Sequence, residues 1–281
     1  MLSWAGSSNR GFSRVKETEI MTLDASVVEF CFHVYGTFGA FRTRGEIGGL
    51  KRTLSFMPPS AAYGILLNYA AIEMFTEDGK LRKGLPSVSL ALGTPKLPEK
   101  FSILSHWHTK DGQSIRCSEG AEEALRKHWS VPVSDGEKLK KSDLIYKWQI
   151  RPVWLGFLYE VDCYVMVRCE PFLLDRIKDG LEMKLERKGG LPYLGTNFCP
   201  IHISELVESV PECLWFRRVK RDEDVSFTSD AGRAELWPIV IDRTNGARSE
   251  HGMFRPTGLQ NDIPEDAWVT VDYSKCSSAN Q

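Results

Sequence analysis

The stretch from Val27 to Tyr35 alternates without a fault: Val28, Phe30, Phe32 and Val34 fall on one face, and Glu29, Cys31, His33 and Tyr35 on the other. Period two sends successive side chains to opposite faces, so this is a strand buried on one side only. Such a strand needs partners in a sheet and a cover for its apolar face. A second run, Tyr159 to Cys169, repeats the pattern with Tyr159, Val161, Cys163, Val165 and Val167 on one face. Each run is followed by helical spacing: Ala61, Ile65, Tyr69 and Ile72 within Ala61–Phe75, and Leu174, Ile177, Leu181 and Leu185 within Leu173–Leu185. Further strands are predicted at Pro86–Leu92, Phe101–His106, Leu214–Val219 and Trp268–Tyr273, and a short helix at Glu119–His128. This order predicts an α+β sandwich, with the ferredoxin-like βαββαβ unit as the natural candidate. That unit is the fold of many RNA-binding modules.

Charge excludes a global attraction for polyanions. Lys+Arg number 36 against Asp+Glu 37, a net charge of −1, so any nucleic-acid binding must come from a local patch. No apolar run is long enough to span a bilayer. Residues 1–24 lack the apolar core of a secretory signal and read as a polar, disordered extension, with Met21 as an alternative start. None of the seven cysteines forms a Cys-x-x-Cys pair, which argues for reduced, buried thiols in a cytosolic protein and against zinc or a disulfide framework.

Local cations do cluster. The glycine-bearing loop after the first strand and its continuation carry Arg42, Arg44, Lys51 and Arg52 against Glu46. Guanidinium forks on such a loop suit phosphate, because bare amides can also approach the anion; a solvated basic loop fits the same residues. Residues 80–116 hold Lys80, Arg82, Lys83, Lys96, Lys100, Lys110 and Arg116 against only Glu99 and Asp111, with Trp107 between His106 and His108. Cations interleaved with an aromatic are what single-stranded nucleic acid requires. The His-x-His pair has no third ligand nearby, so no metal site is expected. Arg217, Arg218, Lys220 and Arg221 are cancelled by Asp222, Glu223 and Asp224. Pro58-Pro59-Ser60 forces an extended entry to the first helix, with Ser60 as its expected cap. Gly64 inside that helix costs about 1 kcal/mol relative to Ala, which calls for compensation by close packing on a sheet or by backbone approach to a ligand. No nucleophile elbow, phosphate loop, zincin or dinucleotide fingerprint occurs. Lys127-His128 could serve acid–base chemistry but reads as a solvated helix face beside Glu122 and Glu123.

Three segments together resemble a known family. Phe38-Gly-Ala-Phe41-Arg42 follows the first strand, and Phe56-Met-Pro58-Pro59-Ser60-Ala-Ala-Tyr63-Gly64 opens the first helix. Tyr193-Leu-Gly195-Thr196-Asn-Phe-Cys199-Pro200 follows the turn Lys188-Gly189-Gly190. In this order they resemble the Cas-five family, RAMP-superfamily subunits of type I CRISPR effector (Cascade) complexes, over roughly Val27 to Glu205. The resemblance implies an RRM-like ferredoxin domain over residues 25–225 with a β-rich thumb inserted at about 80–144; residues 226–281, which contribute nothing to the resemblance, are expected to form C-terminal strands and a flexible tail. It implies a cytoplasmic, non-catalytic RNA binder with no cofactor and no metal, which holds the 5′ handle of the CRISPR RNA and caps the complex. Its partners would be the backbone and large subunits and, through the complex, target DNA. The RNA-contacting residues would be Arg42, Arg44, Lys51, Arg52, Ser60, Tyr63, Lys96, Lys100, Trp107, Lys188, Gly189, Gly190, Tyr193, Gly195 and Thr196. One branch of the family is instead a metal-independent endoribonuclease that carries a Lys-His pair shortly before the glycine-rich loop. Here that stretch reads Asp175-Arg-Ile177-Lys178-Asp-Gly, and no histidine lies between His128 and His202.

Overall fold

In the computed structural model, which describes residues 27–42, 50–114, 146–219, 234–242 and 246–277 (backbone alone at 50, 106–114, 146–151, 275 and 277), the two alternating runs are neighbours. Strand β1 (Val28–Gly39) pairs antiparallel with β5 (Tyr146–Cys169), from Val28 opposite Cys169 to Gly39 opposite Leu158. Phe32 lies against Val165 and Val34 against Cys163, all closed to solvent. Helices α1 (Pro59–Tyr69) and α2 (Pro171–Leu181) cover this face, giving one core with Tyr63, Leu66, Leu67, Leu173 and Ile177.

The sheet runs β6 (Ile203–Val207), β1, β5, β3 (Val88–Thr94), β7 (Cys213–Arg218), β9 (Glu250–Gln260), β8 (Glu235–Val240). Off that path β10 (Val269–Val271) pairs with β3, while β2 (Leu50–Lys51) and β4 (Glu99–Ser114) pair with β5. All pairings are antiparallel except β2 with β5, so the molecule is an α+β fold built on a mostly antiparallel sheet. The β7–β9–β8 extension is joined to the chain before α1 by aromatic rings: Phe56 stacks on Phe216 at 4.6 Å and lies 6.5 Å from Trp237, which in turn stacks on Phe254 at 5.2 Å. The half of β5 before Tyr159 leaves the main sheet with β4 as a long hairpin, Glu99 opposite Tyr159 and Ser114 opposite Tyr146. Val88–Thr94 stays in the main sheet, and the hairpin departs only at Glu99.

The expected face of β5 ends one residue early. Glu160 has φ of 56°, and Tyr159 beyond this kink is exposed instead of lining up with Val161. The entry to α1 also differs from expectation. Pro58 is the capping residue, extended at ψ 158°, and no side chain caps the helix. Proline has the φ of a first helical turn and needs no amide partner there, so Pro59 opens the helix and Ser60 falls inside it. Helix α1 stops at Tyr69, short of the expected Phe75, where Ala71 turns to φ 51°; α2 stops at Leu181, before Met183 at φ 58°. The expected helix at Glu119–His128 and the extension 1–24 lie outside the described residues. No helix among the described residues is long and apolar enough to cross a membrane.

Candidate functional site

Helix α1 is buried nearly all round, through Ala62, Tyr63, Ile65, Leu66, Leu67 and Tyr69. Ser60, Gly64 and Asn68, each four residues from the next, make the remaining line, and a helix brings such positions onto one face. That line forms one wall of a cleft of about 350 Å³. The end of β1 supplies Phe41 and Arg42, and the glycine-rich loop supplies Gly189, Pro192, Tyr193 and Gly195. The three segments that the sequence singled out therefore meet around one space. Pro238, Ile241 and Tyr273 close it from the C-terminal part of the chain.

Backbone bonds fix these walls. The Leu54 amide donates to the Phe41 carbonyl at 2.8 Å, and the Phe41 amide donates to Thr53 Oγ1 at 3.0 Å. The glycine-rich loop is pinned at both ends. At the far end the Ala40 amide donates to the Leu194 carbonyl at 2.9 Å and the Leu194 amide to the Cys199 carbonyl at 2.7 Å. Gly195 there sits at φ 83°, and a Cβ on it would stand 2.2 Å from the Ala40 carbonyl oxygen. Only glycine meets both conditions. At the near end the Gly189 amide donates to Glu73 Oε1 at 3.0 Å, and Asn68 Nδ2 donates to the Gly190 carbonyl at 3.2 Å.

The electrostatics are one-sided. Among the described residues Arg42 is the single charged residue lining the cleft, and that lining holds no histidine, lysine or carboxylate. Two side-chain atoms of this lining, Arg42 Nε and Asn68 Oδ1, are closed off without a hydrogen-bond partner. Cys199 behind the loop is pushed up by burial, with the Thr196 hydroxyl and the Arg42 charge pulling the other way.

No protein-family model matches the chain, and no curated protein matches its sequence. Two solved structures are similar to it in backbone. One, titled "CRISPR RNA-guided surveillance complex", has a TM-score of 0.42 at 14% identity, covering 85% of this chain and 96% of that chain. The other, titled "Crystal structure of Cas protein", has a TM-score of 0.39 at 12% identity, covering 83% of this chain and 96% of that chain.

The remaining expected contact residues divide. Lys188, Gly189, Gly190 and Tyr193 are exposed, Tyr193 at 45%, and Thr196 is half-buried with its hydroxyl 3.6 Å from Cys199 Sγ. Tyr63 does not reach the site. Its ring has no exposed surface, its hydroxyl donates to the Pro86 carbonyl at 2.9 Å, and it stacks on Tyr273 at 5.4 Å. A ring so enclosed has nothing to offer a ligand, so it is a core residue. Lys100 is exposed, but its ammonium lies 3.5 Å from Glu235; Lys96 lies 3.9 Å from Glu160. Lys51 sits in β2, level with Leu155 of the hairpin, with Arg52 following it. Trp107 is on β4 opposite Arg151, its side chain outside the described residues, as is the whole of Arg44. Sequence reasoning missed Asn68, which the four-residue spacing from Ser60 and Gly64 could have found. It also missed Trp154, 49% exposed on the hairpin beside β2. Pro238, Ile241 and Tyr273 carried no signal at all.

Proposed function

We propose that this protein is a non-catalytic CRISPR RNA-binding subunit of a type I CRISPR effector complex, holding the 5′ handle of the RNA at the cleft between α1, Arg42 and the glycine-rich loop. The observation that carries the reading is the convergence of the three motif segments on one space whose sole charged lining residue, among the described residues, is a cation. The Glu73 carboxylate beside the wall is engaged by the Gly189 amide, and the arginine fork offers a phosphate paired donors. Lys188 and Tyr193 stand exposed at the rim, a cation and an aromatic of the kind that single strands need.

The order β6–β1–β5–β3, with α1 following β1 and α2 following β5, supports the ferredoxin-like βαββαβ reading. The hairpin β4–β5 is then the thumb, free to meet the neighbouring backbone and large subunits. In RRM modules the RNA lies on the sheet face away from the helices. Here that face is closed in part by Val210, Ile263 and Trp268, packed together with Tyr164 and Met166 against Ala91, Cys213, Trp215 and Ala267. What stays open beside β6 carries Asp162 and Glu205, which bracket His33 at 2.8 and 3.2 Å. Acids on the open face and an arginine in the cleft favour the helix side for the RNA.

The non-catalytic half of the reading rests on the sequence: the stretch before the glycine-rich loop, Asp175-Arg-Ile177-Lys178-Asp-Gly, lacks the Lys-His pair of the endoribonuclease branch. The test is incubation of purified protein with labelled CRISPR repeat RNA, with and without EDTA. The expected result is binding, weakened in Arg42→Ala, with the RNA intact. Specific cleavage lost in His128→Ala would refute the non-catalytic half and favour the endoribonuclease. Absence of any binding would refute the whole.

A further inference from the structure

The cleft differs from a phosphate track in its chemistry. One arginine serves a space of about 350 Å³, and most of the other walls are apolar or aromatic: Phe41, Ile65, Phe75, Tyr193, Ile241 and Tyr273. A charged and strongly hydrated backbone gains little from such walls, whereas a planar, weakly hydrated ring gains a great deal.

Gly64 points the same way. A mid-helix glycine costs about 1 kcal/mol against alanine, and no packing within the fold recovers it. A Cβ built there meets nothing within 4 Å. The sheet-packing explanation for this glycine therefore fails. What remains is a bare stretch of helix backbone facing the cleft, at the centre of the Ser60–Gly64–Asn68 line.

The polar atoms add an edge. Asn68 Nδ2 is committed to the Gly190 carbonyl at 3.2 Å, which fixes the amide's orientation and makes Oδ1 an acceptor. That acceptor and the Arg42 Nε donor both lack partners and are closed to water. A base edge pairs with them once the two side chains turn toward the cleft, and the cost of leaving such atoms unpaired favours that turn. Every nucleobase carries a donor and an acceptor side by side on its Watson–Crick edge.

We infer that the cleft is a socket for one unstacked base of the RNA, laid on α1 at Gly64 with its edge toward Asn68 and Arg42. This rests on the RNA-binding reading and goes further. At this point the strand is held by an extruded base, and the phosphates are left to the rim. Asn68 and Glu73 act as positioning residues, since they anchor Gly190 and Gly189 of the wall that carries Tyr193.

Gly64→Leu tests it, because a Cβ there meets nothing within 4 Å and the longer side chain projects into the socket. The probes are a single-stranded CRISPR repeat RNA and an abasic ribose-phosphate oligomer of equal length, each measured by fluorescence anisotropy at several salt concentrations. The parent should bind the RNA at least about tenfold more tightly than the abasic oligomer, the size of one stacked base. Gly64→Leu should remove most of that preference while keeping abasic binding, the salt slope and a thermal midpoint no lower than the parent's. Asn68→Leu, which removes the acceptor and the donor to Gly190 without adding a charge, should weaken RNA binding in the same salt-independent way. A folded Gly64→Leu that binds RNA as the parent does would overturn the socket and leave RNA binding standing; so would a parent that does not distinguish RNA from the abasic oligomer. Failure of the parent to bind either probe would overturn both.

Discussion

Two helical glycines, Gly64 at the centre of α1 and Gly180 in the last turn of α2, should respond to the same substitution with opposite signs. In α1, Gly64→Ala adds a methyl group that meets nothing within 4 Å. The variant should gain the helix propensity alone, about 0.5–1 kcal/mol. In α2, a Cβ on Gly180 would stand 1.7 Å from the Tyr69 carbonyl oxygen and 2.7 Å from its carbon, against an ordinary contact of about 3.5 Å. The obstacle is backbone, so no rotamer relieves it, and the two helices must separate. Separation stretches the 2.6 Å bond from Arg176 Nε to the Ala70 carbonyl and the 2.6 Å bond from the Tyr69 hydroxyl to Ser204 Oγ. Overpacking at about 1–3 kcal/mol, plus part of a charged hydrogen bond, makes the net cost about 2–4 kcal/mol. Urea denaturation followed by tryptophan fluorescence reads both variants. The Gly64→Ala midpoint should rise and the Gly180→Ala midpoint fall, with unchanged slopes. At roughly 2–4 °C per kcal/mol for a chain near this size, the two melting temperatures should separate by about 10 °C. A Gly64→Ala variant that melts below the parent, or a neutral Gly180→Ala, would refute this account of the helix faces.

Lys188→Ala should flatten the salt dependence of RNA binding by about 0.7 in log–log slope, one phosphate contact on a single strand, whereas Lys100→Ala, whose ammonium already faces Glu235, should leave it unchanged. Burial pushes the thiols of Cys31 and Cys213 up to about 12 and that of Cys169 up to about 11, so iodoacetamide at pH 8 should leave all three unlabelled in the native protein and modify them after unfolding, read by mass spectrometry. These raised values also mean that stability is full below the ordinary thiol range and falls as pH climbs above about 9, which a series of urea midpoints would record. Glu235 is pushed up by burial but held below the usual carboxylate range by Ser55, Trp237 and Lys100 together, so the stability it contributes is present at neutral pH and lost as pH falls through its lowered value; the difference in midpoint between parent and Glu235→Gln should shrink on acidification.

Alternation is a local property, which is why β1 and β5 were legible: each carries its own burial pattern, and two half-buried strands must share a core. The same holds for the two helices and for the three segments that meet in the cleft, each recognisable within a dozen residues. Strands β6, β8 and β9 carry no such pattern. In β9, Gly252, Pro256 and Gly258 interrupt any period, and its pairing with β7 and β8 shifts register twice, so the strand exists through its partners. Side-chain roles were the least legible of all. Gly64 and Gly180 look alike in sequence, yet one faces open space and the other a carbonyl of the neighbouring helix. Tyr63 lies in the most recognisable segment, and the tertiary packing buries it against Tyr273 from the far end of the chain. Lys100 looks like a phosphate ligand until the fold brings Glu235 beside it. Periodicity and turn chemistry act between near neighbours and can be read from them, whereas the partner of a charge, the face of a glycine and the closure of a cleft depend on contacts between residues far apart in the chain.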